Sequence, residues 1–186
     1  MIPVLVSACL VGQPTRYDGH AALFKHAILD RWLEEERVVA FCPETAGGLA
    51  TPRIPAEIIG GDGSAVLAGR ARVVDRNGQD VSVNFIQGAR QALAVARSHK
   101  IALALLKGNS PSCGNTTIYD GSFSGGKLKG SGVAAALLRQ NGILVFNETQ
   151  IEQAGAYLAG LRSGSGRIQT AHPNGDPTKS SHRSNP

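Results

Sequence analysis

Three cysteines, Cys9, Cys42 and Cys113, are the residues of this chain best suited to chemistry. A thiolate is both a nucleophile and a soft metal ligand, so three of them brought together would suit a soft metal. Their intervals, 33 and 71 residues, match no zinc-ribbon or ferredoxin pattern, so only the fold can unite them. Each follows an apolar run and sits among Gly, Pro and Ser, in "SACLVG", "FCPE" and "LLKGNSPSCG". Thiols that serve only as small hydrophobes belong inside strands or on apolar helix faces. A structural zinc would need a fourth ligand, for which His20 and His26 are the candidates. With three thiolates alone, one position stays open. On zinc it would hold water; in a four-iron cluster it would leave one iron for a substrate atom.

Other polar groups accompany the cysteines. Glu44 follows Cys42 by two residues, and a carboxylate beside metal thiolates is costly unless it has a use. Ser110 and Ser112 stand next to Cys113. "RYDG" supplies Arg16, Tyr17 and Asp18, and "IYDG" supplies Tyr119 and Asp120, all candidates for substrate contact. Asp-Gly and Ser-Pro are also ordinary turn formers, so these residues need the fold to sort them. Gly47-Gly48 allows a close backbone approach after Glu44.

The elements that must position these groups are legible as alternation. Short apolar runs at Val4–Ser7, Val38–Phe41, 101–106 and 143–146 read as buried strands. Helical periodicity covers 24–35, 83–98 with Ser82 as its cap, Val133–Gln140 and 148–161. Residues 43–69 read as an irregular excursion, 71–81 as a hairpin about Asn77-Gly78, and 107–132 as a Gly-rich loop. Strands alternating with helices predict an α/β domain of three layers, a mainly parallel sheet with helices on both faces, over residues 1–162. All three cysteines then lie past carboxyl ends of strands, on the edge where open α/β sheets bind ligands. Residues 163–186, rich in Gly, Ser, Pro and Asn, read as a disordered tail.

Composition narrows the function classes. No apolar run reaches the ~20 residues of a membrane helix, and the apolar start has no basic region to make it a signal peptide. An odd cysteine count without a secretion signal argues against a disulfide framework and for a reducing cytoplasm. The net charge is +5, of which residues 163–186 carry +2. The rest has no dense Lys/Arg stripe, which argues against a duplex nucleic-acid partner and for a small polar or anionic substrate. A non-catalytic nucleotide-binding module would need none of the thiols.

Five segments in this order, "SACLVGQPTRYDG", "FCPETAGGLATPRIPAEI", "LLKGNSPSCG", "IYDGSFSG" and "GVAAALLRQNGI", resemble the DUF523 family, whose characterised members are thiouracil desulfidases. The resemblance spans residues 4–146. It implies a [4Fe-4S] cluster held by Cys9, Cys42 and Cys113, with Glu44 and Ser110 as catalytic groups. It implies desulfuration of a thiocarbonyl compound such as 2-thiouracil without net redox. The substrate sulfur would bind the open iron, water activated by Glu44 would attack the carbon, and Ser110 would donate a hydrogen bond or relay a proton. A three-cysteine zinc hydrolase of a nucleobase-like substrate is the rival use of the same residues. Many family members carry a further cysteine directly before "RYDG"; this chain has Thr15 there, which leaves three ligands and excludes a fourth thiol.

Overall fold

The structure, a computed structural model, describes residues 1–162; the expected disordered tail lies outside the described residues. Strand β1 (Val4–Ser7) runs into a 3-10 turn, Ala8–Val11. Helix α1 (Ala27–Glu34), strand β2 (Val38–Phe41) and the one-turn helix α2 (Pro43–Ala46) follow. Then come β3 (Ala56–Ile59), α3 (Gly63–Leu67), β4 (Arg72–Asp75) and the long helix α4 (Ser82–Ser98). After β5 (Leu103–Leu106), a small hairpin forms from β6 (Thr117–Tyr119) and β7 (Lys127–Lys129). The chain continues through α5 (Val133–Gln140), β8 (Leu144–Asn147), a 3-10 turn at Glu148–Gln150 and α6 (Ile151–Arg162).

The main sheet has the order β2-β1-β5-β8, and every pairing in it is parallel. Its two central strands, "VLVS" and "LALL", are buried along their whole length, which is why they read as continuous apolar runs. Alternate residues serve opposite faces. Val4, Val6, Leu103 and Leu105 pack with Leu29 and Trp32 of α1 and with Ile151, Ala154 and Leu158 of α6. Leu5, Ala104, Leu106 and Val145 pack with Ala92, Leu93 and Ala96 of α4 and Ala135 and Leu138 of α5. The fold is therefore the expected three-layer α/β arrangement.

The segments read as irregular are structured. Strands β3 and β4 form a separate antiparallel pair, and Ile58, Val66 and Val73 of this outer lobe cover Phe85, Ala89, Val133 and Ala134. Helices α4 and α5 are thus buried on two sides, and their small residues let both neighbours approach. The hairpin read at 71–81 keeps its turn, with Gly78 in the left-handed region, but its second arm is only an isolated bridge from Val74 to Asp80. The main partner of β4 is β3. Ser82 is the first residue of α4 and not its cap: Val81 holds that place, and the Ser82 hydroxyl accepts the Val73 amide instead. Among the described residues no helix is long and apolar enough to cross a membrane.

Candidate active site at the carboxyl edge of the sheet

Because β1, β2 and β5 are parallel neighbours, their carboxyl ends meet at one edge. Cys9 lies in the 3-10 turn after β1, which Gly12 closes at a φ of 95°. Cys42 is the N-terminal cap residue of α2, with Pro43 at the first helical position, where proline is tolerated. Cys113 lies in the turn after β5, which Asn109 enters in the left-handed conformation. All three thiols line one cavity of about 380 Å³, and all three are unpaired. Cys9 and Cys113 are buried; Cys42 is half-buried.

Helix α2 reaches this position through backbone-to-backbone packing on α4. A Cβ on Gly88 would lie 1.8 Å from the Pro43 carbonyl oxygen, and one on Gly47 would lie 2.0 Å from the Asn84 carbonyl oxygen. The Asn84 side-chain amide then donates to the Gly47 carbonyl at 2.8 Å. Glu44, on the same short helix, faces the cavity. Its Oε2 takes two hydrogen bonds from Arg53, at 2.9 Å from Nε and 2.6 Å from Nη2. Its Oε1 accepts the Ser110 hydroxyl at 3.2 Å. The Ser110 oxygen in turn accepts the amides of Ser112 and Cys113, at 3.0 and 3.1 Å. The carboxylate is therefore tied at one oxygen to Arg53 and at the other to the turn that carries Cys113.

Burial disfavours ionisation of two of the three thiols. Burial, and then the neighbouring Cys42, push the Cys9 thiol up to about 11, against the pull of Lys107 and Arg16. Burial pushes Cys113 far above the ordinary thiol range; the Ser7 hydroxyl, which approaches its sulfur at 3.5 Å, opposes this, while Cys42, Glu44 and Cys9 add to it. Burial and the neighbouring thiols hold Cys9 and Cys113 in their neutral forms, and a bound cationic group would stabilise them as thiolates. Among the described residues no three His, Cys, Asp or Glu side chains close tightly enough to hold a single metal ion. A cluster would give each cysteine its own metal centre.

Of the other sequence candidates, Arg16, Tyr17 and Tyr119 line the cavity. Asp18 does not; it holds Arg16 through bonds of 3.2 and 2.8 Å, and Arg16 draws its carboxyl below the usual range. Asp120 is spent on its own loop, accepting the amide and hydroxyl of Ser122. Ser112 is fully buried behind the wall, and its carbonyl accepts the Ala134 amide at the start of α5. His20 and His26 also stay outside the cavity; His26 caps α1 by accepting the Ile28 amide. Thr15 lines the cavity, and its carbonyl accepts from Arg53.

Sequence reasoning missed Arg53, Glu57, Arg76, Lys107 and Phe123, all of which line the cavity. Lys107 pairs with Glu148, which also accepts the Gly108 amide at 2.7 Å. Three of these residues come from the outer lobe or its border, so their approach depends on a tertiary contact. Only "TPR" after the Gly-Gly pair pointed toward Arg53, as a cation nine residues beyond Glu44.

Comparison with known proteins agrees with this geometry. The chain is 48% identical over 149 residues to the uncharacterized protein YbbK of Bacillus subtilis (strain 168), covering 80% of this chain and 97% of that one. It matches the solved structure of the [4Fe-4S]-dependent thiouracil desulfidase TudS with a TM-score of 0.78 and 44% identity, over 86% of this chain and 99% of that one. The model of the family described as 2-thiouracil desulfurase matches residues 4–150, from the first strand through the last 3-10 turn, and the chain belongs to that family.

Proposed function

We propose that this protein is an iron–sulfur-dependent desulfidase that replaces the sulfur of a thiocarbonyl compound, such as 2-thiouracil, with oxygen from water. The observation that carries this reading is the meeting of three unpaired thiols in one cavity beside a carboxylate with one oxygen turned away from its arginine. Cys9, Cys42 and Cys113 would hold a [4Fe-4S] cluster. When bound, such a cluster supplies a Lewis-acidic iron that has no protein ligand and can take the substrate sulfur.

The chain's own groups do the rest. Arg53 fixes Glu44 through Oε2, which leaves Oε1 as the oxygen that can exchange a proton. Glu44 takes a proton from the attacking water at Oε1 as the oxygen bonds to the thiocarbonyl carbon. The same proton is then available to the sulfur as the C–S bond breaks. The balance is thiocarbonyl plus water giving carbonyl plus hydrogen sulfide, with no change of oxidation state. Ser110 holds Oε1 in line with the Cys113 turn. Lys107 and Arg16, each fixed by a carboxylate, place positive charge near Cys9 and would offset the charge of three thiolates. A reducing cytoplasm would suit three free thiols and an oxygen-sensitive cofactor.

Anaerobic reconstitution should load about four irons and four sulfides per chain, with visible thiolate-to-iron absorbance. Incubation with 2-thiouracil should release sulfide and form uracil. Cys9→Ser, Cys42→Ser and Cys113→Ser should each cut iron loading sharply. A colourless protein that binds one zinc per chain and releases no sulfide would overturn the reading.

A further inference from the structure

The loop between β6 and β7 carries Phe123 with a φ of 57°, a left-handed conformation that a bulky side chain adopts only under constraint. The constraint is visible. Glu57, a buried carboxylate on β3, accepts the Gly121 amide at 2.9 Å and the Phe123 amide at 3.0 Å, both at Oε2. Gly121 is pressed against the same strand, where a Cβ would lie 2.7 Å from the Ile58 carbonyl oxygen. Glu57, Phe123 and Arg76 all line the cavity that holds the three thiols. The Arg76 guanidinium lies over the Phe123 ring, 5.7 Å from its centre. Arg16, Arg53 and Lys107 are each engaged by a carboxylate, whereas Arg76 has no ion pair among the described residues. A buried carboxylate of the outer lobe and a strained backbone in the β6–β7 loop thus together set one aromatic ring in the cavity wall.

We propose that Glu57 is a positioning residue that holds Phe123 as the aromatic platform against which a planar heterocyclic ligand stacks in this cavity. The proposal rests on the desulfidase reading for the identity of the ligand, a thiolated pyrimidine, but its physical content is the preference for a flat ring. Aromatic platforms favour a base over an acyclic thiocarbonyl because the π-face contact is absent from the smaller molecule. Tyr17 and Tyr119 also border the cavity, each beside a cation, but neither has a left-handed backbone or a buried carboxylate dedicated to its placement.

The test uses the reconstituted protein and uracil, which has the ring without the reactive sulfur. Equilibrium dialysis should show Phe123→Leu binding uracil on the order of tenfold more weakly than the parent. Glu57→Ala should weaken it similarly and make residues 120–126 more open to protease. Glu57→Gln, whose carbonyl oxygen can still accept both amides, should restore most of the affinity. In turnover, the preference for 2-thiouracil over thiourea should fall by the same factor in Phe123→Leu, through KM and not kcat, at unchanged iron content. Parental uracil affinity in Phe123→Leu would overturn the proposal, as would a parent protein that fails to hold uracil. Dialysis reads the ring whether or not sulfide is released, so absence of desulfuration would count against the proposed function alone.

Discussion

Ser110 aims its hydroxyl proton at Glu44 Oε1, 3.2 Å away, and has no lone pair left to offer elsewhere. Two backbone amides, those of Ser112 and Cys113, already donate to its oxygen. A serine hydroxyl has one donor and two acceptor sites, so all three are in use. A proton relay would need an acceptor site free for the incoming proton. In this geometry Ser110 ties the carboxylate to the Cys113 turn, and we propose that it acts through that tie and not as a relay.

Ser110→Ala should therefore act through placement. It leaves two partly buried amides without a partner, at a cost of about 1–3 kcal/mol in stability. Turnover per intact cluster should fall, and the fall should not add to that of Glu44→Gln, because both changes act on the same oxygen. Kinetics of the double variant, normalised to iron, measure this. Full additivity would mean that Ser110 acts on something other than Glu44.

A site can also be broken from behind. Gly88 lies on α4, outside the cavity, yet its Cα faces the Pro43 carbonyl between Cys42 and Glu44. Gly88→Ala cannot be accommodated without moving α2, and should cost at the upper end of overpacking, about 3 kcal/mol. It should lower Tm and impair iron retention together. Gly160→Ala on α6 is the control, because a Cβ there meets nothing within 4 Å among the described residues. That change should leave iron content alone and hold or slightly raise Tm. Thermal melts and iron assays on the two variants settle whether the close approach of α2 and α4 shapes the site.

We further propose that residues 1–162 make up the working unit. Residues 163–186 contain only Ile168 as a large apolar side chain, too little to offset the entropy of ordering them. A chain ending at Gly166 should match the full chain in Tm, iron content and turnover of 2-thiouracil. A drop in turnover alone would assign those residues to the site.

The thiol-bearing edge was legible because its logic is local. Each of β1, β2 and β5 is a short apolar run that ends in a cysteine-bearing turn, and parallel pairing does the rest. The outer lobe was not legible because β3, α3 and β4 are four or five residues long, set among Gly and Pro, and take their order from packing on α4 and α5. Glu57 shows the consequence. In sequence it is one carboxylate in "IPAEII"; its meaning comes from amides 64 and 66 residues away. Ser112 and Asp120 show the converse: both stand beside a motif, and the bonds seen for them serve their own turns, the Ser112 carbonyl at the start of α5 and the Asp120 carboxylate on Ser122.

The mechanism turns on Glu44, and Glu44→Gln tests it with the least collateral change. Glutamine keeps the shape, and its carbonyl oxygen can still accept from Arg53 at the Oε2 position. The amide nitrogen would then occupy the Oε1 position, facing the Ser110 hydroxyl as a donor and unable to take a proton from water. Iron loading should match the parent, because Glu44 is not among the thiol ligands. Affinity for uracil should also hold. Turnover per cluster should fall by roughly two to four decades, the usual worth of a positioned general base. If Glu44 only braces the wall between Arg53 and Ser110, the result inverts: Tm and cluster retention drop, while turnover per intact cluster stays near parental. Arg53→Ala separates the two further. It removes the two bonds that fix Oε2 but leaves the carboxylate able to accept a proton. Its turnover should lie between those of the parent and Glu44→Gln; a loss equal to that of Glu44→Gln would mean that the ion pair, and not proton transfer at Oε1, is what the reaction needs.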